Sequence, residues 1–205
     1  VGQVRSVNQD NTLVSDDVFA VADGMGGHRG GEVASAVAVD ALRHHFRDRT
    51  PMALLAAVRE ANRAVVERSQ RDPELRGMGT TLCALAGVRR QDGDELLTIV
   101  NVGDSRAYLL KSGESSLIQI SEDHSLVQQL VRQGQLTPDA AAVHPQRNIL
   151  TRALGIDREV KPDAFVVLPV RGDRYLLCSD GLFNEVDETR IAEVLRQTPD
   201  PRQAA

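Results

Sequence analysis

Residues 18–31 read VFAVADGMGGHRGG, and the fold turns on how that run is parsed. Five apolar residues, Val18 to Ala22, lead into Asp23 and Gly24. A short unbroken apolar run closed by a turn signal reads as a strand buried on both faces, with Asp23 at its end, where a carboxylate can face an open site. The glycines that follow (Gly24, Gly26, Gly27, Gly30 and Gly31) permit positive φ and close approach of the backbone to a ligand. A solvated Asp-Gly turn explains the same dipeptide, so the segment gains weight only from others of its kind.

Two such segments exist. LLTIVNVGD, residues 96–104, and RYLLCSD, residues 174–180, each deliver an aspartate from an apolar run into small residues. If these strands are neighbours, Asp23, Asp104 and Asp180 converge at one sheet edge, with Asp10 as a fourth acid. Carboxylates packed so closely repel one another, and a bound cation is the simplest way to stabilise them. An all-oxygen donor set suits Mg²⁺ or Mn²⁺. Zinc fits poorly, because the five histidines form no HExxH pattern and Cys83 and Cys178 lie far apart in the chain. His28, beside the glycines, is a further candidate, although a solvated loop histidine explains it equally well. Rival chemistries lack their signatures: there is no GxSxG elbow, no GxxxxGK[ST] phosphate loop, and no histidine placed by sequence to serve Ser105.

Working outward, residues 11–15 predict a strand that pairs with 18–22. Val33, Val37, Ala41 and Leu42 recur at helical spacing and predict a helix over 32–46. Thr50 and Pro51 form an N-cap and first-turn pair for a second helix, with Leu54, Val58, Ala61 and Val65 inward. The polar stretch 68–78 reads as a loop. Strands are predicted at 80–88, 96–102 and 106–110, with turn signals at Asp92-Gly93 and Ser112-Gly113, which together imply an antiparallel meander. Residues 121–157 differ in texture: a helix carrying Leu126, Val127, Leu130 and Val131 stops at Gly134, and a second is capped by Thr137 and Pro138. This length suits a mobile, flap-like segment. Strands at 164–168 and 174–178 follow, then a final helix capped by Asp187, with no element expected after it. Long helices among antiparallel strands mean α+β, in a single domain over 1–205.

Composition narrows the function further. The chain has 205 residues, 41% hydrophobic and 26% charged, with a net charge of −5 that offers no basic footprint for nucleic acid. It has no Trp and only 3% aromatics, so there is no platform for stacking bases. No apolar run approaches the ~20 residues that span a bilayer. Both cysteines sit in apolar runs and read as buried thiols of a reducing, cytoplasmic compartment. The chain opens on Val1 and closes on PDPRQAA, and both ends read as cut.

Taken in order, several motifs resemble the bacterial branch of the metal-dependent type-2C (PPM) serine/threonine protein phosphatases. They are Arg5…Asn8-Gln9-Asp10, Ala22-Asp23-Gly24-Met25-Gly26-Gly27-His28, Gly31-Glu32-Val33-Ala34-Ser35 and Gly79-Thr80-Thr81-Leu82. Asn101-Val102-Gly103-Asp104-Ser105-Arg106, Asp123-His124-Ser125-Leu126, Asn148…Thr151-Arg152-Ala153-Leu154-Gly155 and Cys178-Ser179-Asp180-Gly181-Leu182 follow. The resemblance implies two central antiparallel sheets sandwiched between helix pairs, with two Mn²⁺ or Mg²⁺ ions, and a third held more weakly, at one end. It assigns Asp23 and the Gly24 carbonyl to the metal pair with Asp180, and Asp104 with Asp180 to the third ion. Asp10 would anchor metal-bound water and Arg5 would grip the substrate phosphate, so that Arg5, Asp10 and Asp23 carry catalysis.

The implied activity is hydrolysis of phosphoserine and phosphothreonine in proteins, reversing the work of a Ser/Thr protein kinase. The implied partners are phosphorylated proteins, the kinase among them, with no nucleic acid or membrane, and the complete protein would be monomeric. A phosphatase of anti-anti-sigma-type regulators and a non-catalytic phosphoprotein-binding pseudophosphatase are the alternatives; the four intact acids count against the second. The chain departs from the family in two respects. Met25 stands where some members have a histidine proposed as general acid. The family's first strand and its closing Asp-Asn strand are also expected to lie outside these 205 residues.

Overall fold

The computed structural model describes residues 8–26, 29–89 and 93–205. Strands β1 (Asp10–Val14) and β2 (Val18–Met25) pair antiparallel, with Asp10 opposite Asp23 and Val14 opposite Phe19. On the other side of β2 runs β4 (Leu82–Arg89), and the two-residue β3 (Gly79–Thr80) continues the pairing along Gly24 and Met25. β5 (Glu95–Val102) pairs with β4 from Leu82↔Val102 to Arg89↔Glu95, and β8 (Asp163–Val167) closes the far side of β5. A second sheet places β6 (Arg106–Leu110) between β7 (Leu117–Gln119) and β9 (Arg174–Cys178).

The expected meander is therefore only half present: β4 and β5 form the hairpin, but β6 leaves for the second sheet. (Asp92 of the turn signal lies outside the described residues.) The departure is forced at Gly103, which adopts φ +105° and where any Cβ would collide with the Thr81 side chain. Buried Asn101 fixes the bend, its Nδ2 donating to the Gly103 and Glu122 carbonyls at 3.2 Å each.

Alternation along the strands sorts the core into layers. Leu82, Ala84, Ala86 and Val88 of β4 face helices α1 (Gly30–His45) and α2 (Pro51–Arg71), packing with Ala38, Leu42, Leu54, Val58 and Val65. Cys83 and Leu85 face the opposite way and meet Val21, Ile99 and Ala107 between the sheets. Outside the second sheet, Leu110 packs with Ile191, Ala192 and Leu195 of α6 (Glu188–Gln197). The order is helix pair, sheet, sheet, helix, an α+β sandwich. Alanines at 20, 22, 84 and 86 let the helices approach the sheet closely.

Two other expectations are corrected. α2 runs to Arg71, and a 3-10 turn capped by Asp72 (Pro73–Leu75) follows, anchored by buried Leu75 and Met78, so the stretch expected as a loop is largely structured. A four-residue helix, α7 (Pro201–Ala204), follows α6. The capping assignments hold: Thr50, Thr137 and Asp187 each accept from a backbone N–H in the first helical turn, opening α2, α4 (Pro138–Ala142) and α6. Ser125 likewise opens α3 (Leu126–Arg132).

Asn62 supplies a tertiary tie that helical periodicity does not reveal. It is 1% exposed on α2, accepts from the Gly155 N–H at 2.8 Å, and donates to the Asp157 and Arg158 carbonyls. Asn62→Ala is expected to destabilise the fold by about 1–3 kcal/mol by leaving these groups unpaired. Urea denaturation monitored by circular dichroism checks the value, and a midpoint equal to the parent's would show that the tie carries no stability.

Candidate metal centre

The site is built on the β1–β2 ladder. Asp23 lies inside β2, with the strand continuing to Met25, rather than at its end as the sequence suggests. The pairing of β3 with Gly24 and Met25 is the reason. Its backbone is held firmly: the Asp23 N–H donates to Thr81 Oγ1 at 2.9 Å, while the Thr81 N–H and the Thr80 hydroxyl both donate to the Asp23 carbonyl at 2.9 Å. Thr81 Oγ1 lies 2.7 Å from Ser105 Oγ, which links Asp23 to the turn carrying Asp104. Gly24 admits no side chain, because a Cβ would collide with the Gly31 carbonyl in the first turn of α1.

Asp10 stands directly across the ladder from Asp23, a spacing of about 5 Å between paired residues. The Ser179 hydroxyl donates to Asp10 Oδ2 at 2.9 Å, joining the end of β9 to β1 and so one sheet to the other. The next residue, Asp180, opens α5 (Asp180–Phe183), and its Oδ2 accepts from Asn184 Nδ2 at 3.2 Å. Burial, followed by repulsion from Asp10 and Asp180, pushes the Asp23 carboxyl up to about 8. Asp104, at the Gly103 bend, is pushed up to about 6 by burial and then by Asp180 and Asp123.

The structure thus brings together Asp10, Asp23, Asp180 and Asp104 from four separate segments. Arg5, Gly27 and His28 lie outside the described residues. Among the described residues, no group of three or more His, Cys, Asp or Glu side chains is poised to hold an ion by itself. Asp10 and Asp180 each engage Asp23, and Asp180 also acts on Asp104, so a coordination shell here would also draw on water and on a backbone carbonyl such as that of Gly24. Mg²⁺-type sites, which use one or two carboxylates and retain several waters, are built in this way. Hard oxygen donors and unrelieved mutual repulsion fit a divalent cation.

Asp123 and Arg106 are part of this site, although no role was read for them in the sequence. Arg106 grips Asp123 with two arms, Nε to Oδ1 at 3.0 Å and Nη2 to Oδ2 at 2.8 Å, and its Nη1 donates to Tyr108 Oη at 2.9 Å. Tyr108 in turn donates to Glu188 at 3.0 Å, and the Phe183 ring lies 3.7 Å from the guanidinium carbon. Burial opposes the charge, but the bonds to Asp123 win and hold the guanidinium more firmly protonated than usual. Both residues stood in quoted motifs, but nothing in a single sequence pairs positions 17 apart. Beside them opens a pocket of about 300 Å³, lined by Asp104 and Asp180 together with Val127, Gln128, Ala141 and Asn148.

Comparison with known proteins gives a consistent result. The sequence profile of the protein phosphatase 2C family matches residues 3–203. The serine/threonine phosphatase stp of Listeria monocytogenes is 43% identical over 210 residues, an alignment covering 95% of this chain and 80% of that protein. The serine/threonine protein phosphatase PstP of Mycobacterium tuberculosis is 44% identical over 210 residues; the match covers all of this chain but 39% of PstP. The PstP/Ppp crystal structure superposes with a TM-score of 0.89 at 43% identity, over 100% of this chain and 85% of that one. A PstP catalytic domain solved with two manganese ions gives 0.85 at 41% identity, over 100% of this chain and 84% of that one.

The raised pKa of Asp23 sets a pH dependence in the metal-free protein. Folded Asp23 keeps its proton to about 8, whereas the unfolded chain releases it near 3.8. The folded state binds more protons between those values, so this residue's contribution to stability falls as pH rises through the window. The thermal midpoint of the parent relative to Asp23→Asn, measured in chelator, is expected to fall from pH 5 to pH 8.5. Mn²⁺ is expected to restore the parent at the upper end. A parent that gains on the variant as pH rises would contradict this electrostatic picture.

Proposed function

The chain belongs to the protein phosphatase 2C family, in its bacterial serine/threonine branch, and from that premise we propose that it hydrolyses phosphoserine and phosphothreonine in proteins with Mn²⁺ or Mg²⁺. The observation that carries the reading is the convergence of Asp10 and Asp180 on Asp23, which places hard, mutually repelling donors at one end of the sandwich. Two divalent cations at such a site supply Lewis acidity and lower the pKa of the attacking water.

The chain's own residues do the rest. Asp23 and the Gly24 carbonyl, with Asp180, hold the cation pair. Asp104 with Asp180 forms a weaker third site, and Asp10 orients water at the pair. Arg5 binds the phosphoryl oxygens through a planar fork matched to that geometry. Attack on phosphorus breaks the bond to the serine or threonine oxygen, which leaves as the alcohol after taking a proton. Met25 offers no proton, so water supplies it. The pocket between the acids and residues 121–157 receives the flanking peptide, and that segment acts as a flap that shapes substrate choice.

Beyond the chemistry, the proposed partners are phosphoproteins, including a Ser/Thr protein kinase, met by a monomer in the cytoplasm. Among the described residues, no helix is long and apolar enough to cross a membrane. Since the chain spans 39% of PstP, what the whole protein acts on is part of this proposal.

Hydrolysis of a phosphothreonine peptide by the full-length protein, titrated with Mn²⁺, tests the reading. Asp23→Asn and Asp180→Asn are each expected to lower turnover by about 100-fold or more. Near-normal turnover in either would remove the metal pair from that carboxylate. Arg5→Ala is expected to raise KM while leaving Mn²⁺ affinity unchanged; weakened Mn²⁺ binding would assign Arg5 a structural role instead.

A further inference from the structure

We infer that His124 is a positioning residue whose imidazole locks the Gly103–Asp104 turn, and with it the Asp104 carboxylate, to both ends of residues 121–157 and to β8. The part of this inference that concerns metal rests on the reading of Asp104 as a ligand.

His124 is 3% exposed and sits between Asp123, which grips Arg106, and Ser125, which caps α3. It holds Gly103 from both sides. Its backbone N–H donates to the Gly103 carbonyl at 3.0 Å, and the Gly103 N–H donates to His124 Nδ1 at 3.1 Å. Because Nδ1 accepts from an amide, the ring proton lies on Nε2, which donates to Asp163 Oδ2 at 3.1 Å. The neutral ring suits its burial, which pulls its pKa below the usual value. A second ring proton would point an N–H at the Gly103 N–H.

Asp163 passes the connection onward. Its Oδ1 accepts from Arg152 Nη1 at 2.6 Å, and Arg152 also bonds the Lys161 carbonyl. The Thr151 N–H donates back to the His124 carbonyl at 2.8 Å, and Ser125 bridges to Leu150. The two ends of the 121–157 segment are therefore clamped together at His124, against buried Gly103, whose φ of +105° turns the chain immediately before Asp104. Asn101 donates to the Gly103 and Glu122 carbonyls and does not reach the Gly103 N–H, whose partner among the described residues is the imidazole. A shift of the segment is transmitted to Asp104 through this ring.

Two substitutions divide the two bonds of the ring. His124→Asn keeps an acceptor near the Nδ1 position and loses the link to Asp163. His124→Gln keeps a donor near the Nε2 position and leaves the Gly103 N–H unpaired. Amide hydrogen exchange of the metal-free full-length protein is the primary readout, with calorimetric Mn²⁺ binding as the second. In His124→Gln, exchange at residues 101–106 is expected to rise and the weakest Mn²⁺ site to lose about 10-fold in affinity, the tighter pair being unchanged. In His124→Asn, protection of the turn and the weak site are expected to be largely retained, with faster exchange confined to residues 150–163. A turn as protected in the Gln variant as in the parent, or Gln and Asn variants that are indistinguishable, would overturn the inference. Should His124→Gln not fold, the Asn variant decides: a protected turn supports the role and an exposed one refutes it. If the parent binds no Mn²⁺, the ligand role of Asp104 falls while the exchange data still decide the role of His124.

Discussion

The structure depends on carboxylates held closer together than they would settle in water. Antiparallel register leaves Asp10 and Asp23 no choice, because the pairing that buries Leu13 and Ala20 also sets the two acids face to face. A slip of one residue would relieve the repulsion but turn the apolar face of β1 outward. Core burial thus stabilises a register that electrostatics alone opposes. The Ser179–Asp10 bond then draws the start of α5, and with it Asp180, against the same pair. Such a cluster is unfavourable in isolation and strongly complementary to a divalent cation.

Much of the surrounding fold keeps those acids from moving apart. Thr80 and Thr81 satisfy both backbone groups of Asp23, leaving its side chain as the part free to respond to charge. Contact between α1 and Gly24 fixes β2 from the helix side, where only glycine fits. From the second sheet, Arg106 gathers Asp123, Tyr108 and Phe183 into one ion-paired hub beside the acids. That charge is not among the influences on Asp23, whose raised pKa is set by burial, Asp10 and Asp180.

A good part of this was legible in the sequence. Three apolar runs ending in aspartate announced the strands, and helix starts at Thr50, Thr137 and Asp187 followed from local capping chemistry; the acids meet, however, from strands that are not neighbours, since β4 separates β2 from β5 and β9 lies in the second sheet. The assignment of β6 to a second sheet was not legible, because alternation reports which residues face inward but not which sheet a strand joins. The deciding facts, the Gly103 bend against Thr81 and the Asn101 side chain beneath it, are contacts distant in sequence. For the same reason the sequence suggests a strand end at Asp23: among the described residues it is β3, arriving from residues 79–80, that extends the ladder past it. The Arg106–Asp123 pair and the His124–Asp163 link join motifs that the sequence displays separately, and Arg5 and His28, which it also singled out, lie outside the described residues.

The claim that Asp23 is the centre of a divalent-cation site is open to direct test. Diffraction data from crystals grown with Mn²⁺, collected at the manganese absorption edge, would locate each ion independently of any assumed ligand. The expected result is anomalous density against the Asp23 carboxylate, between Asp10 and Asp180. Strong peaks elsewhere, with Asp23 in contact only with protein atoms, would contradict it.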